Sequence, residues 1–559
     1  MNRLEQGKLT VFDTTLRDGA QTMGVAFSLE DKIRLARLLD ELGMDYVEGG
    51  WPGSNPKDIA FFQEMGKHPL QRARLTAFSS TRGKNRRVED DANIMTLCAT
   101  GAPATAIFGK SWTLHVAKAL ETTLEENLAM ISSTIAYLRP RFQSIVYDAE
   151  HFFDGYKDDP EYALSTIEAA ADAGADWIAL CDTNGGAMPG FVADAVAAAI
   201  ERVRVSIGIH AHNDGELAVA NTLAAVEAGA RMIQGTINGL GERCGNANLC
   251  SVIPNLQLKR GIACLPQESM ERLTYISRAV AEAANMSQPN SLPFVGRNAF
   301  AHKGGIHVSA VGKDSRCYEH LAPALVGNDR TITISELSGR SNILHKAKAL
   351  GFDLDGEPER TASILKEVKE LENRGYHFEG AEASFELLSA RMLGLLKEYF
   401  TLHGLRILTW ADDDGRFRSE ATIKAGVPEA VSISGGHAES VEHTSADGSG
   451  PVEAMDRALR KALEKFYPAM ASVKLVDYKV RILDEDSGTA AITRVMISST
   501  DGVEHWTTVG VSDNILDASW QALRDSMVYK LRKDDETRNQ GPVPIQTKEA
   551  VYATDNQDF

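Results

Sequence analysis

The sequence predicts an α/β protein: a closed (β/α)₈ barrel, then a mostly helical linker, then a C-terminal α+β domain of doubled βββα type. Three observations predict it. Residues 9–259 alternate eight β-rich runs with amphipathic helical stretches, polar side chains follow most of those runs, and two similar strand–turn–helix segments recur after residue 400. The 559 residues are 43% hydrophobic and 24% charged, the mix of an ordinary globular protein.

Charge and cysteine usage exclude several classes of protein. A net charge of −18 repels nucleic acid and anionic membranes, so an anionic substrate needs a local cation. The six cysteines form no C-x-x-C pair, as expected of reduced thiols in the cytosol. No signal peptide is recognised, and no apolar run approaches the ~20 residues that span a bilayer. We expect a soluble cytoplasmic protein that binds neither nucleic acid nor membrane.

The first eight β-rich runs define the barrel. They read LTVFD (9–13), YVEGGW (46–51), RLTAFSS (74–80), ATAIFG (104–109), SIVYDAEHF (144–152), WIALCDT (177–183), SIGIHAHN (206–213) and MIQGTINGLG (232–241). Helical stretches separate them; the first, at 28–43, opens with a Ser-x-x-Asp capping signal and ends on Gly43. Eight such units in about 250 residues match a TIM barrel. The alternative, a doubly wound sheet, usually has fewer strands and a glycine-rich first turn, whereas this first turn reads DTTLRDGAQ.

Composition changes divide the rest of the chain. Prolines 266, 289 and 293 follow the barrel, and residues 341–400 are mostly helical by periodicity. The segment from 441 (VEHTSADGSGPVEAMDRALRKAL) is echoed from 503 (VEHWTTVGVSDNILDASWQALRDSM), which predicts two β-β-β-α units. The predicted parts are a catalytic barrel at 1–265, helical linker subdomains at 266–400, a regulatory and dimerisation domain at 401–532, and a disordered polar tail at 533–559.

A metal site is predicted at the carboxyl ends of the barrel strands. His210 and His212 are two apart on a strand, so both imidazoles face the same side. Asp18 follows the first strand and Asn246 follows the eighth, and closure of a barrel makes strands 7, 8 and 1 neighbours. Two imidazoles, a carboxylate and an amide oxygen suit Mg²⁺, Mn²⁺ or Zn²⁺.

Other polar residues near the strand ends have weaker signals. Arg17, beside Asp18, is a permanently charged donor placed to meet a ligand rather than a surface partner. Glu150, His307 and Tyr318 could act as acids or bases, although single residues of these types are more often structural. The glycines of GLGERCGN, starting at 239, superficially match a dinucleotide loop, but they follow the last strand with the wrong spacing, which argues against NAD.

Taken together, these motifs resemble a known superfamily. FDTTLRDGAQT from Phe12, H-x-H-N-D from His210, and GLGERCGNAN from Gly239 resemble the DRE-TIM metallolyases, in the Claisen-condensing branch that includes 2-isopropylmalate, homocitrate and citramalate synthases. RDGAQ in the first motif and EGGWPGSNPKD from Glu48 are more similar to the long-type citramalate synthases than to the isopropylmalate synthases. The C-terminal domain is similar to the regulatory domain of the same enzymes.

The resemblance implies roles for the matching residues. Arg17 matches the arginine beside the reacting carbonyl, and Thr183, with Glu48, is assigned to substrate binding. Glu150 matches a catalytic glutamate. His307 matches a histidine that enters the partner subunit's active site. Its segment reads HVSA, where the family often reads HQDG or HADG. Tyr318 matches a tyrosine that follows this histidine. The implied metal ligands are Asp18, His210, His212 and Asn246.

The implied reaction is a metal-dependent condensation of acetyl-CoA with pyruvate and water, giving citramalate and CoA. The protein would be an EC 2.3.3-type acyltransferase of isoleucine biosynthesis, a homodimer inhibited by isoleucine at glycine-rich turns near Ser434, Gly448 and Thr508. Either His307 or Glu150 could be the base. One alternative is a 2-isopropylmalate or homocitrate synthase that uses another 2-oxo acid. A second is a hydroxymethylglutaryl-CoA lyase, but we do not find the cysteine loop of that family. The third is a catalytically silent amino-acid sensor.

Overall fold

A computed structural model describes residues 8–335, 337–428, 439–483 and 491–539. The chain divides into two compact units. One comprises Met1–Ala301 with His320–Thr331, and the other His302–Glu319 with Ile332–Phe559. None of the helices within these described ranges is long and apolar enough to cross a membrane.

The first unit is a closed barrel of eight parallel strands, which confirms the predicted TIM barrel. The strands follow chain order around the barrel, and β1 closes it by pairing with β8, with Thr10 opposite Met232 and Asp13 opposite Gly235. Their bounds are β1 Thr10–Asp13, β2 Tyr46–Gly50, β3 Arg74–Ser80, β4 Ala104–Lys110, β5 Ser144–Glu150, β6 Trp177–Asp182, β7 Ser206–Ala211 and β8 Met232–Gly235.

Helices surround this barrel and bury their apolar faces on it. The capping signal of the first helix forms as predicted: Ser28 Oγ accepts a hydrogen bond from Asp31 N–H, and Asp31 Oδ2 accepts one from Ser28 N–H. The bounds are α1 Leu29–Leu42, α2 Pro56–Lys67, α3 Ala92–Cys98, α4 Thr113–Lys118, α5 Leu124–Leu138, α6 Phe152–Asp158, α7 Pro160–Asp172, α8 Pro189–Arg202, α9 Ala218–Ala228, α10 Leu249–Pro254 and α11 Leu273–Ala283.

The second unit begins with helices and ends with two sheets. Its helices are α12 Gly305–Val311, α13 Arg340–Ala349, α14 Pro358–Asn373 and α15 Glu382–Met392. Two short strands, β9 Ala301–His302 and β10 Thr331–Ile332, pair with each other.

The doubled βββα unit is confirmed. Each three-stranded antiparallel sheet is followed by a helix that covers one of its faces. Buried side chains such as Ile423, Leu459, Ile497 and Leu523 form one common core. The elements are β11 Thr401–Ala411, β12 Phe417–Pro428, β13 Glu439–Gly448 and α16 Pro451–Leu463, then β14 Lys474–Ile482, β15 Thr493–Thr500, β16 His505–Ser512 and α17 Ile515–Asn539.

The end of α17 differs from the prediction. We predicted a disordered tail from residue 533, but α17 continues to Asn539. Ion pairs link its successive turns, Lys530 with Asp534 at 2.5 Å and Arg532 with Glu536 at 2.6 Å, and such i,i+4 pairs stabilise a polar helix. The remainder of the predicted tail lies outside the described residues.

Candidate active site and metal centre

Four polar side chains meet at the carboxyl end of the barrel, where strands β7, β8 and β1 adjoin. Asp18 Oδ2 lies 3.2 Å from His210 Nε2 and 4.0 Å from His212 Nε2, and the two imidazole nitrogens are 3.3 Å apart. Asn246 Nδ2 lies 2.7 Å from Asp18 Oδ2 and 3.1 Å from His210 Nε2. The structure thus brings together all four residues predicted as metal ligands, and all four are buried.

The donor set fits a divalent cation. Asp18, His210 and His212 each offer a ligand atom, and these atoms lie within 4.8 Å of one another. Within the described ranges, Asn246 Oδ1 is a buried oxygen without a hydrogen-bond partner. Because the two ends of an amide are assigned from the hydrogen-bond network, a rotated Asn246 would present this oxygen to the cluster.

The glycine-rich loop after β8 places Asn246. Gly245 has a φ of +89°, and a Cβ there would lie 2.0 Å from the carbonyl oxygen of Gly239. A Cβ on Gly241 would lie 2.0 Å from Asn246 Oδ1. His212 and Asn246 also pair as an isolated antiparallel bridge. These glycines therefore serve close packing beside the ligand cluster, which explains them without a dinucleotide.

Buried polar groups contact the side of His210 that faces away from the cluster. Its Nδ1 lies 2.8 Å from Gln234 Oε1 on β8, and Gln234 Nε2 lies 3.0 Å from Asp148 Oδ1 on β5. All three side chains are buried inside the barrel. This arrangement leaves the second ring nitrogen of His210 facing Asp18, His212 and Asn246.

Arg17 is fixed beside the cluster by three contacts. Its Nε–H donates to Glu48 Oε2 at 2.7 Å, its Nη1 lies 3.5 Å from Asp18 Oδ2, and its guanidinium lies 3.9 Å from the centroid of the Phe78 ring. Glu48 is completely buried, and its other oxygen lacks a partner among the described residues. Glu48 therefore anchors Arg17 from behind.

Burial and charge shift the pKa values of this cluster in different directions. Burial disfavours the Asp18 carboxylate, but the charge of Arg17 and the contact with the His210 imidazole outweigh this effect and hold the pKa of Asp18 well below its usual range. Burial and the neighbouring His210 lower the pKa of His212 to about 3, so that its ring is neutral at neutral pH. Burial raises the pKa of Glu48 to about 7 although Arg17 opposes it.

The cluster opens into a cavity of about 180 Å³. One wall is aromatic: the Phe78 and Phe108 rings stack 5.3 Å apart, and the Trp51 ring meets each of them edge-on at 5.6 Å. The indole N–H of Trp51 donates to Asn93 Oδ1 at 2.9 Å. The lining residues are Arg17, Asp18, Gln21, Trp51, Phe78, Phe108, Asp148, Glu150, Cys181, Thr183, His210, His212, Glu242 and Arg243.

Two more predicted residues line the same cavity. Glu150, at the end of β5, forms an ion pair with Lys110 at the end of β4. Thr183 follows β6, and its Oγ1 accepts a hydrogen bond of 2.9 Å from the backbone N–H of His151. His151 has a φ of +57°, an uncommon value for a residue with a side chain, and this conformation directs its N–H at Thr183.

The remaining two predicted residues lie in the other unit. His307 is on α12, and Tyr318 follows a short 3₁₀ turn. Their rings stack with centroids 4.1 Å apart, and both side chains are exposed. Of the three predicted effector turns, Ser434 lies outside the described residues and Gly448 ends β13. Thr508 lies inside β16, where neighbouring Gly510 packs against α17, so the expected turn there is wrong.

Several residues of the site were not predicted from the sequence, namely Asp148, Gln234 and the aromatic wall. A signal existed for Asp148, because it is two residues before Glu150 on a strand and therefore faces the same side. Gln234 is the single polar side chain of the short apolar strand β8. The aromatic wall had no comparable signal, because phenylalanines in buried strands are ordinary core residues.

Three family models match successive parts of the chain. They are HMGL-like at residues 8–280, homocitrate synthase post-HMGL domain-like at 294–376, and LeuA allosteric (dimerisation) domain at 379–531.

Among curated proteins, the chain is 54% identical to (R)-citramalate synthase of Aquifex aeolicus, covering 95% of this chain and 99% of the relative. It is 51% identical to the same enzyme of Geobacter sulfurreducens, covering 94% and 98%. It is 31% identical to 2-isopropylmalate synthase of Methanocaldococcus jannaschii, covering 95% and 96%.

Proposed function

The chain belongs to the family of the (R)-citramalate synthases, and we propose that it condenses acetyl-CoA with pyruvate and water to give citramalate and CoA. This is an acyl transfer of the EC 2.3.3 type. The observation that carries the proposal is the site itself: a buried cluster of Asp18, His210, His212 and Asn246 shares one small cavity with Arg17. A catalytically silent sensor would not need this arrangement.

Asp18, His210, His212 and Asn246 are the proposed ligands of a divalent cation. A cation bound at this site would act as a Lewis acid toward the carbonyl of a 2-oxo acid. We propose that Thr183, which lines the same cavity, binds the substrate's carboxylate. Because the Thr183 oxygen already accepts from His151 N–H, its own hydroxyl hydrogen is free to be donated to that carboxylate.

The aromatic wall supports a small 2-oxo acid. Trp51, Phe78 and Phe108 line the cavity of about 180 Å³ beside the cluster, and we propose that this small cavity limits the size of the substrate's alkyl group. The methyl group of pyruvate needs less of it than the isopropyl group of 2-oxoisovalerate. A methylene group or two is worth only about 1–3 kcal/mol in an apolar pocket, so we expect some turnover of 2-oxobutyrate.

The proposed reaction forms one carbon–carbon bond and then cleaves the thioester. A base removes a proton from the methyl carbon of acetyl-CoA, and the resulting enolate carbon attacks the keto carbon of pyruvate. The keto oxygen becomes an alkoxide and takes up a proton, which gives citramalyl-CoA. Water then cleaves the thioester, releasing citramalate and CoA. Arg17 stabilises the negative charge that develops on oxygen, and its fixed orientation makes this stabilisation effective.

Two residues are candidates for the base. Glu150 lines the cavity and is paired with Lys110. His307 and Tyr318 are stacked on each other, and their assignment to the site rests on the family resemblance. We propose that they reach the active site of the partner subunit in a homodimer, as the match of residues 379–531 to a dimerisation domain supports.

The C-terminal domain is the proposed site of feedback by isoleucine. Its first sheet exposes Leu408 and Trp410 on β11 and Val441 on β13, apolar side chains that a second copy would cover. If isoleucine binds there, millimolar isoleucine should slow the full-length enzyme several-fold and raise its melting temperature. Absence of both effects would make the domain structural or assign it another effector.

The experiment that tests the reaction is a CoA-release assay with purified protein, acetyl-CoA and pyruvate. CoA should appear only when both substrates are present, and EDTA should abolish its release until Mg²⁺ or Mn²⁺ is restored. The Asp18→Asn variant should stay inactive after metal is restored. EDTA-insensitive activity would contradict the proposed mechanism.

A further inference from the structure

Asp148 is a buried carboxyl group that the steps above do not use. It lies on β5, faces the interior of the barrel and contacts Gln234 across it. Gln234 lies on β8 in direct register with His210 on β7. The three side chains form one continuous chain of hydrogen bonds, and it ends at a proposed metal ligand.

The direction of each hydrogen bond follows from the chemistry of the groups. Asp148 Oδ1 accepts a hydrogen bond from the NH₂ group of Gln234, and this contact fixes the orientation of the amide. The other end of the amide, Oε1, then faces His210 Nδ1. Because this oxygen can only accept, His210 must carry its hydrogen on Nδ1. A reversed amide would oppose two oxygen acceptors at Asp148.

The second nitrogen of His210, Nε2, is left without a hydrogen. With the hydrogen on Nδ1, a neutral imidazole has its lone pair on Nε2, the atom that lies 3.2 Å from Asp18 and 3.3 Å from His212 Nε2. The other tautomer would direct an N–H bond into the cluster, where it would prevent coordination.

We propose that Asp148 is a positioning residue: acting through the amide of Gln234, it fixes the His210 tautomer that keeps the Nε2 lone pair available to a divalent cation. The inference rests on the proposed metal site and adds a residue to its support. Groups that orient a histidine ligand typically change metal affinity about 10–100-fold when they are removed.

The test measures Mn²⁺ affinity by calorimetry in the absence of substrates, for the full-length protein and its variants. Asp148→Asn frees the Gln234 amide to adopt either orientation and should weaken Mn²⁺ binding about 10-fold. Gln234→Met keeps the charge of Asp148 but cuts the chain of hydrogen bonds, and should weaken binding at least as much.

The double variant Asp148→Asn with Gln234→Glu exchanges the positions of the amide and the carboxylate. The amide introduced on β5 can then donate to the carboxylate introduced on β8, and that carboxylate can accept from His210 Nδ1–H. The original direction is thus rebuilt with an unchanged total charge. We expect the Mn²⁺ affinity of the double variant to return to within about threefold of wild type. A ¹⁵N spectrum of labelled histidine should report the Nδ1–H tautomer of His210 in wild type and in the double variant.

Tyr147→Phe is the matched control, because Tyr147 is buried on the same strand and faces the opposite side. It should bind Mn²⁺ like wild type. Melting temperatures in EDTA identify variants that fail to fold. If Asp148→Asn is unstable, Gln234→Met and the double variant, which both conserve charge, still test the role of Asp148.

The outcomes separate the two proposals. Wild-type affinity in Asp148→Asn or in Gln234→Met, or a double variant no better than Asp148→Asn, would overturn the role of Asp148 alone. If Asp18→Ala binds Mn²⁺ as wild type does, or if wild type binds none, the metal site fails and the inference fails with it.

Discussion

At the scale of single residues, Arg17 shows how charge and shape act together. Its guanidinium donates to Glu48 on one edge, lies against the Phe78 ring on its face and approaches Asp18 at the other edge. A planar group is required to satisfy all three contacts at once, and an ammonium group is not planar. Position 17 therefore requires the planar shape of arginine as well as its charge.

Arg17→Lys tests this role. The substitution keeps the positive charge but loses the fork and the stacking, so we expect kcat to fall roughly 10²–10³-fold while KM for pyruvate changes little. Steady-state CoA release measures both. Arg202→Lys, at an exposed ion pair, is the control and should behave as wild type. Unchanged turnover in Arg17→Lys would remove Arg17 from the mechanism.

Glu48→Gln tests the electrostatics of the same site through pH. Burial raises the pKa of Glu48 from 4.5 to about 7, so the native state holds a proton that the unfolded state releases at lower pH. The contribution of Glu48 to the free energy of unfolding is therefore fully present below about pH 4.5 and is lost as pH rises toward 7. In EDTA-treated protein, the melting temperature of wild type relative to Glu48→Gln should fall between pH 5 and pH 8. A constant difference would contradict the shifted pKa.

At the scale of elements, the loop between β8 and α10 determines where Asn246 lies. Gly245→Ala would place a Cβ against the carbonyl oxygen of Gly239 at a φ of +89°. Such strain costs about 1–3 kcal/mol and moves the loop, so we expect a lower melting temperature and Mn²⁺ affinity reduced about 10-fold. Gly66→Ala, on α2 with open space around it, is the matched control and should be neutral or slightly stabilising.

Most elements could be predicted because their signals are local. The barrel strands follow from the alternation of apolar runs with capped helices, and His210-x-His212 follows from the two-residue period of a strand. The pairing of Asp148 with Gln234 could not be predicted, because it depends on which strands oppose each other across the barrel. The end of α17 was missed because its ion pairs compensate a polar composition that otherwise indicates disorder.

At the scale of the whole molecule, the proposed dimer makes each active site depend on two chains. An Arg17→Ala chain and a His307→Ala chain should each be inactive alone. Mixed and reassembled, they should recover part of the wild-type activity, because a heterodimer then contains one site with both residues intact. The control mixes Arg17→Ala with Asp18→Ala, which impair the same barrel and should not complement. Absence of recovery in the first mixture would argue that His307 acts within its own chain.

Direct competition between 2-oxo acids measures which of them the enzyme prefers. Acetyl-CoA, Mg²⁺ and equal concentrations of pyruvate, 2-oxobutyrate, 2-oxoisovalerate and 2-oxoglutarate are incubated with the enzyme, and the condensation products are separated and quantified. The relative amounts report the ratios of kcat/KM. We expect citramalate to dominate, with a smaller amount of the product from 2-oxobutyrate. A mixture dominated by 2-isopropylmalate or homocitrate would contradict it.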